Sequence, residues 1–184
     1  MHVGYFSLKG QDHWVVGSKN VHAVLRDEKD AVLYEEKRYS FALKMAALWF
    51  EQLKAMTPDQ QSRLKQLLGT GISLCGEAYF SDTQHIVDYG GKNGLAFYAL
   101  SHLGPSSDGI TAVPPLEALQ LIASFGLNAV QCKSVRVDNE EERAAIRLHY
   151  ERVFNCEGAV VYVCDGAGRC VKMYKHKVRM CRVF

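Results

Sequence analysis

The chain predicts an α+β fold with a mostly antiparallel sheet, and three patterns predict it. Short segments with strand alternation are joined by tight turns, which is the mark of hairpins. Longer segments with apolar residues at helical spacing interrupt them. The two kinds of segment follow one another without the regular strand–helix alternation that builds a parallel sheet. Its 184 residues fit one domain, and 48% apolar residues supply a packed core.

The elements follow in order. Residues 3–8 and 13–17 read as strands around the turn Lys9-Gly10-Gln11-Asp12, and residues 20–26 as a third strand. From Ser40, a candidate N-cap, Phe41, Leu43, Ala46, Ala47, Phe50 and Leu53 fall at helical spacing. A second helix opens at Thr57-Pro58-Asp59-Gln60. Threonine caps it, proline suits the first turn, and glutamine stands at the capping-box position. Gly69 and Gly71 end it. Strand character returns at 72–80, 84–89 and 95–102, followed by a loop at 104–109. Pro114-Pro115 opens a helix that Gly126 stops. Residues 128–137 read as a strand, and Asp138 and Glu141 frame a helix running to about 154. Two final strands carry Glu157-Gly158-Ala159-Val160-Val161-Tyr162 and Lys172-Met173-Tyr174-Lys175-His176-Lys177.

Charge and cysteine usage narrow the class. With 22 basic and 20 acidic residues there is no overall excess for a polyanion. The basic residues do concentrate at the end: Arg169, Lys172, Lys175, Lys177, Arg179 and Arg182 stand with no acid between Arg169 and Phe184. Six scattered cysteines without Cys-x-x-Cys argue against zinc and for reduced, mostly buried thiols. No apolar run approaches membrane-spanning length, and the first residues lack the order of a signal peptide, so no membrane partner is expected and the compartment reads as intracellular, cytoplasmic or nuclear.

The chemistry concentrates in the last two strands. Glu157 begins one, and up to three lysines stand on the other. A carboxylate that holds a hard cation beside ammonium groups that hold phosphate oxygens is what a nucleoside triphosphate needs. The plainer alternative is an apolar strand beside a solvated basic one. Glu77 interrupts an apolar strand, and Phe97 and Tyr98 put aromatics on both faces of another, so that one ring is core and the other can stack on a base. Ser18-Lys19 sits at the turn after the second strand.

Taken in order, Ser18-Lys19, Gly76-Glu77, Phe97, Glu157-Gly158 and the terminal lysine strand resemble the covalent nucleotidyltransferase superfamily of DNA ligases, RNA ligases and mRNA capping enzymes, and most of all the ATP-dependent RNA ligases. The resemblance implies a nucleotidyltransferase (ATP-grasp-like) adenylation core. It assigns Glu77 to the ribose, Phe97 to the adenine, Glu157 to the metal, and Lys172, or Lys175 and Lys177, to the phosphates, with Ser18 and Lys19 handling nucleotide or end. It implies ATP with Mg2+ or Mn2+ as cofactors and RNA ends, tRNA among them, as partners. The activity it implies is transfer of AMP to a 5′-phosphate and sealing to a 3′-hydroxyl.

Two departures qualify it. The family's closing Lys-x-Lys matches Lys175-His176-Lys177 but not Lys172, and an odd shift of register reverses the strand face. The nucleophilic lysine of Lys-x-Asp-Gly or Lys-x-Asn-Gly is absent, so no catalytic nucleophile is assigned. Both ends read as cut, giving a truncated core over 1–184, or else a degenerate relative. The alternatives are a non-catalytic ATP- or RNA-end-binding relative, a capping-type guanylyltransferase core, and an unrelated α+β interaction module.

Overall fold

The computed structural model describes residues 1–83, 87–104, 111–153, 155 and 158–177. Strands β1 (His2–Leu8) and β2 (Gln11–Gly17) form a hairpin. Its two-residue turn has positive φ at both Lys9 (51°) and Gly10 (76°). Two left-handed residues match the right-handed twist of the flanking strands, and glycine carries one of them without strain. β3 (His22–Leu25) follows, then two short 3₁₀ turns at Glu28–Leu33 and Lys37–Tyr39.

Helix α1 (Ser40–Ala55) runs straight out of the second 3₁₀ turn. Tyr39 therefore holds the cap position, and Ser40, the expected cap, is already helical. Helix α2 (Pro58–Leu68) has the full capping box: Thr57 Oγ1 accepts from the Gln60 amide and Gln60 Oε1 accepts from the Thr57 amide. Strands β4 (Ile72–Tyr79) and β5 (Gly94–His102) come next, then helices α3 (Pro115–Ser124) and α4 (Glu140–Glu151). α4 is capped by Asn139, whose side chain accepts from the Glu142 amide, one residue later than the Asp138–Glu141 frame. β6 (Gly158–Cys164) and β7 (Cys170–Lys177) close the chain as a hairpin.

Two expected strands are corrected. Residues 87–89 are irregular, while 84–86 lie outside the described residues. The 128–137 segment makes a single parallel bridge, Phe97 to Ala129, and is otherwise irregular. Its alternation reflects a chain lying along the edge of β5, where Asn128 and Val130 exchange backbone hydrogen bonds with Phe97.

The main sheet has the order β3-β2-β1-β4-β5, antiparallel throughout. Side chains in register across it form rows on opposite faces. One row, Ala23–Val16–Val3–Leu74–Leu100, joins the core with Trp49 of α1, Leu64 and Leu68 of α2, and Ile122 of α3. Helices α1, α2 and α3 thus cover one face. The adjacent row, His22–Gly17–His2–Cys75–Ala99, belongs to the other face.

The β6–β7 hairpin approaches that second face. Residues 111–113 link it to β5: the His102 amide donates to Thr111 O and the Thr111 amide to Cys170 O. From this seam the hairpin folds back until Lys175 reaches Glu77 on β4. No helix among the described residues is long and apolar enough to cross a membrane.

Candidate functional site

A β-bulge decides which residues share the site. Cys75 pairs with Ala99, but Gly76 pairs with Phe97, which leaves Tyr98 as an extra residue in β5. In an unbroken register Glu77 would pair with Phe97 and both would face the same way. The extra residue puts Ala96 opposite Glu77 and turns Phe97 to the helix face. There Phe97 is fully buried, its ring edge-on to Trp49 at 6.1 Å between centroids. Gly76 makes room for it: a Cβ at 76 would lie 2.7 Å from Phe97 Cδ1 and 2.6 Å from the Ala96 carbonyl oxygen. Phe97 is a core residue with no ring face open to a base.

Glu77 remains on the face opposite the helices and is 52% exposed. Lys175, 37% exposed, places Nζ 3.6 Å from Glu77 Oε1. That is an ion-pair distance longer than a hydrogen bond, between groups on two separate sheets. The β6–β7 register explains why this lysine arrives. Val160 pairs with Lys175 and Tyr162 with Met173, so these four share the side that faces the main sheet. Tyr162 confirms the direction by donating its hydroxyl to the carbonyl of Tyr98. Lys172 pairs with Val163 in the alternate set, together with Tyr174 and His176. His176 Nε2 lies 3.9 Å from Glu151 of α4, so that set faces α4 and solvent. Lys172, the first lysine expected at phosphate, therefore lies on the far side of the hairpin. Lys177 pairs with Gly158, two positions along from Lys175.

The end of the main sheet gathers more polar groups. The Met1 amino group donates to the Gly76 carbonyl. Burial lowers its pKa, against the pull of Glu77 and Cys75. Cys75 Sγ lies 3.4 Å from His2 Nδ1. Burial pushes the Cys75 thiol up to about 11. Burial, then the Met1 ammonium and His22, push the His2 imidazole down. The pair is a neutral thiol beside a neutral ring, not a thiolate–imidazolium nucleophile. Burial, then Cys75 and Glu77, raise the Tyr98 phenol to about 12, and burial raises Tyr162 further. Both phenols are neutral hydrogen-bond donors.

Ser18 and Lys19 lie at the same end of the sheet. Gly17 pairs with His2, and His2 with Cys75, so Ser18-Lys19 just after β2 and Gly76-Glu77 on β4 extend past the same row. Two strand spacings, about 10 Å, separate them. The Ser18 amide donates to Val21 O and Ser18 Oγ accepts from the Asn20 amide, which shapes the turn; Lys19 is exposed. Gly17 has no space for a side chain, since a Cβ would meet the Val21 carbonyl oxygen at 2.2 Å.

Glu157 lies outside the described residues, as do Arg179 and Arg182 of the basic terminus. Among the described residues no three His, Cys, Asp or Glu side chains are grouped to hold a metal. Glu77 and Lys175 are thus brought together on one face, with Ser18 and Lys19 in a turn at the same end of the sheet, while Phe97 and Lys172 are turned away. The sequence assigns no site role to His2, His22, Cys75 or Tyr162, and names Tyr98 only as one of two aromatics, either of which could stack on a base. Cys75 and Glu77 were recoverable as a pair, because residues two apart in a strand share a face. Tyr98 was not, because its place depends on the bulge.

The fold and its polar end define an α+β domain whose uncovered sheet face is met by a second, lysine-bearing hairpin. The chain belongs to the family described as Domain of unknown function (DUF7920), which matches residues 1–183. Neither a curated protein nor a solved structure matches the chain.

Proposed function

We propose that this domain binds a nucleoside triphosphate, ATP, between the uncovered sheet face and the β6–β7 hairpin, on the plan of an RNA-ligase adenylation core, and that these 184 residues form no covalent nucleotide adduct. The observation that carries this reading is the meeting of Glu77 and Lys175 at 3.6 Å, both partly exposed, from strands on different sheets. A carboxylate accepts from ribose hydroxyls, and an ammonium neutralises phosphate oxygens. Tyr98 supplies a neutral donor beside them, the Tyr162 hydroxyl being engaged with the Tyr98 carbonyl, and Lys19 supplies a second cation at the same end.

Magnesium would arrive with the triphosphate. It is commonly held by one or two carboxylates plus phosphate oxygens, a role that suits Glu157. The adenine has no platform at Phe97, so the base is assigned to another surface than the resemblance implied. The absence of Lys-x-Asp-Gly and Lys-x-Asn-Gly removes the acceptor for AMP. The 5′-phosphate of an RNA end, the acceptor that the resemblance implied, offers the same anionic chemistry as the triphosphate.

Titration calorimetry of the chain with ATP and magnesium tests the reading. Binding should weaken at least tenfold in Glu77→Gln and in Lys175→Ala, and stay within about twofold in Lys172→Ala. Intact mass after incubation should show no added AMP. No ATP binding, or equal losses at Lys172 and Lys175, would defeat the reading. An acid-labile adduct would defeat its non-covalent part and direct attention to Lys9 or Lys19.

A further inference from the structure

We propose that Cys164 and Cys170 form a reversible redox modification site, closed into an intramolecular disulfide by a small-molecule disulfide. The pairing register carries this. Val163 pairs with Lys172 and Cys164 with Cys170, leaving Val171 unpaired in β7. Cys170 would otherwise alternate to the side of Lys172. The extra residue returns it to the side of Cys164, so the two cysteines stand opposite each other on one face. Directly opposed residues in an antiparallel pair have Cα atoms roughly 4.5–5.5 Å apart. A disulfide needs about 4.4–6.8 Å.

The intervening loop holds that opposition. Asp165 Oδ1 accepts from the amides of Ala167 (3.0 Å) and Arg169 (2.9 Å), and Oδ2 accepts from Arg169 Nε (2.7 Å). The Asp165 amide donates to the Arg169 carbonyl at 3.0 Å. Cys170 Sγ donates to the Lys172 carbonyl at 3.5 Å across the bulge, so one side-chain rotation redirects it toward Cys164.

Exposure sets the order of events. Cys164 is exposed and Cys170 is buried. Cys164 as thiolate attacks one sulfur of the oxidant RSSR, whose S–S bond breaks to release RSH. Cys170 loses its proton to solvent and attacks Cys164 Sγ, and the second RSH leaves. The protein gives up two electrons and two protons, and RSSR is reduced to two RSH. Burial, then Cys170 and Asp165, raise the Cys164 thiol above its ordinary value, so the rate climbs with pH. The cross-link pins the start of β7, whose Cys170 carbonyl accepts from the Thr111 amide at 3.0 Å, the seam between hairpin and main sheet.

The full chain is incubated with oxidised glutathione at pH 8, with reduced glutathione as control, then digested without reduction and sequenced by mass spectrometry. The expected product is a Cys164–Cys170 link that dithiothreitol removes, that persists in Cys132→Ser and that is lost in Cys164→Ser. Amide exchange at 163, 164 and 171 should slow at least tenfold in the oxidised chain. Cys132 is the built-in competitor, exposed and electrostatically coupled to Cys164. A Cys132–Cys164 link, a lasting glutathione adduct on Cys164, or no reaction would each overturn the proposal. A sample oxidised in denaturant shows what pairing without the fold looks like, and matching products in folded and unfolded chains would also overturn it.

Discussion

Phe97 and Tyr98 are neighbours in sequence and belong to different halves of the molecule. Phe97 looks into a dry layer where Trp49, Leu64, Leu74, Leu100 and Ile122 are fully buried. Tyr98 belongs to a layer that holds His2, Cys75, Glu77, Tyr162 and Lys175. The helix-covered face concentrates stabilising burial; the hairpin-covered face keeps polar groups at partial exposure, where a ligand can displace water from them. On the second face Glu77 and Lys175 meet at partial exposure, within reach of a ligand's polar groups.

The two faces should respond differently to truncation. Phe97→Ala removes a fully buried ring from the Trp49 contact and should cost about 3–5 kcal/mol by urea denaturation. Glu77→Gln should change stability by no more than about 0.5 kcal/mol, since its ion pair is half exposed. If Phe97→Ala were cheap and abolished ATP binding, the assignment of faces would be reversed.

Gly76→Ala tests the bulge that separates them. The new methyl would press on Phe97 Cδ1 and the Ala96 carbonyl, at 2.7 and 2.6 Å. Overpacking of this kind costs roughly 1–3 kcal/mol. In Phe97→Leu the obstructing ring is gone, and Gly76→Ala should cost measurably less there than in the parent. Additive losses would mean the backbone, not the ring, demands glycine.

Local features were legible in the sequence; this bulge was not. Lys9-Gly10 and the Thr57–Gln60 box are set by residues within four positions of each other, and the structure has both. The pairing of Gly76 with Phe97 depends on a contact 21 positions away and on packing against α1. Sequence alternation fixed that Lys172 and Lys175 oppose each other, since they are an odd number apart. It could not say which set faces the sheet, because that follows from how the hairpin docks. The Gly76-Glu77 motif draws attention to its acid, whereas the glycine is required by the close approach of the Ala96 carbonyl and the Phe97 ring.

Two ion pairs extend the contrast to charge. Asp30, beside the core, accepts from Arg26 Nε at 2.8 Å, from its Nη2 at 2.7 Å and from its backbone amide at 2.9 Å. Those hydrogen bonds hold its carboxyl down at about 2. Glu77 and Lys175 have only the 3.6 Å approach in common. A lowered carboxyl stabilises the fold above its unfolded pKa of about 4, and that contribution is lost as pH falls through the folded value. The stability difference between the parent and Asp30→Asn should therefore be full at pH 5 and shrink steadily toward pH 2. A difference independent of pH would show that the Arg26 contacts do not act through the charge of Asp30.

The smallest expected effect tests whether the halves are separate at all. Tyr162→Phe removes one donor from the Tyr98 carbonyl, the direct hydrogen bond from the hairpin's inner side to β5. A single bond of this kind contributes about 1 kcal/mol. The helix-covered core does not use it, so amides of β1 and β4 should keep their exchange rates apart from the small global change. Amides of β6 and β7 should exchange faster, because local opening of the hairpin no longer breaks that bond. Equal acceleration in all strands would mean that hairpin and core unfold together, and the polar face would then be as rigidly built as the apolar one. Acceleration confined to the hairpin would make the wall carrying Lys175 the movable side of the cleft, able to close on a ligand without disturbing the layer beneath Phe97.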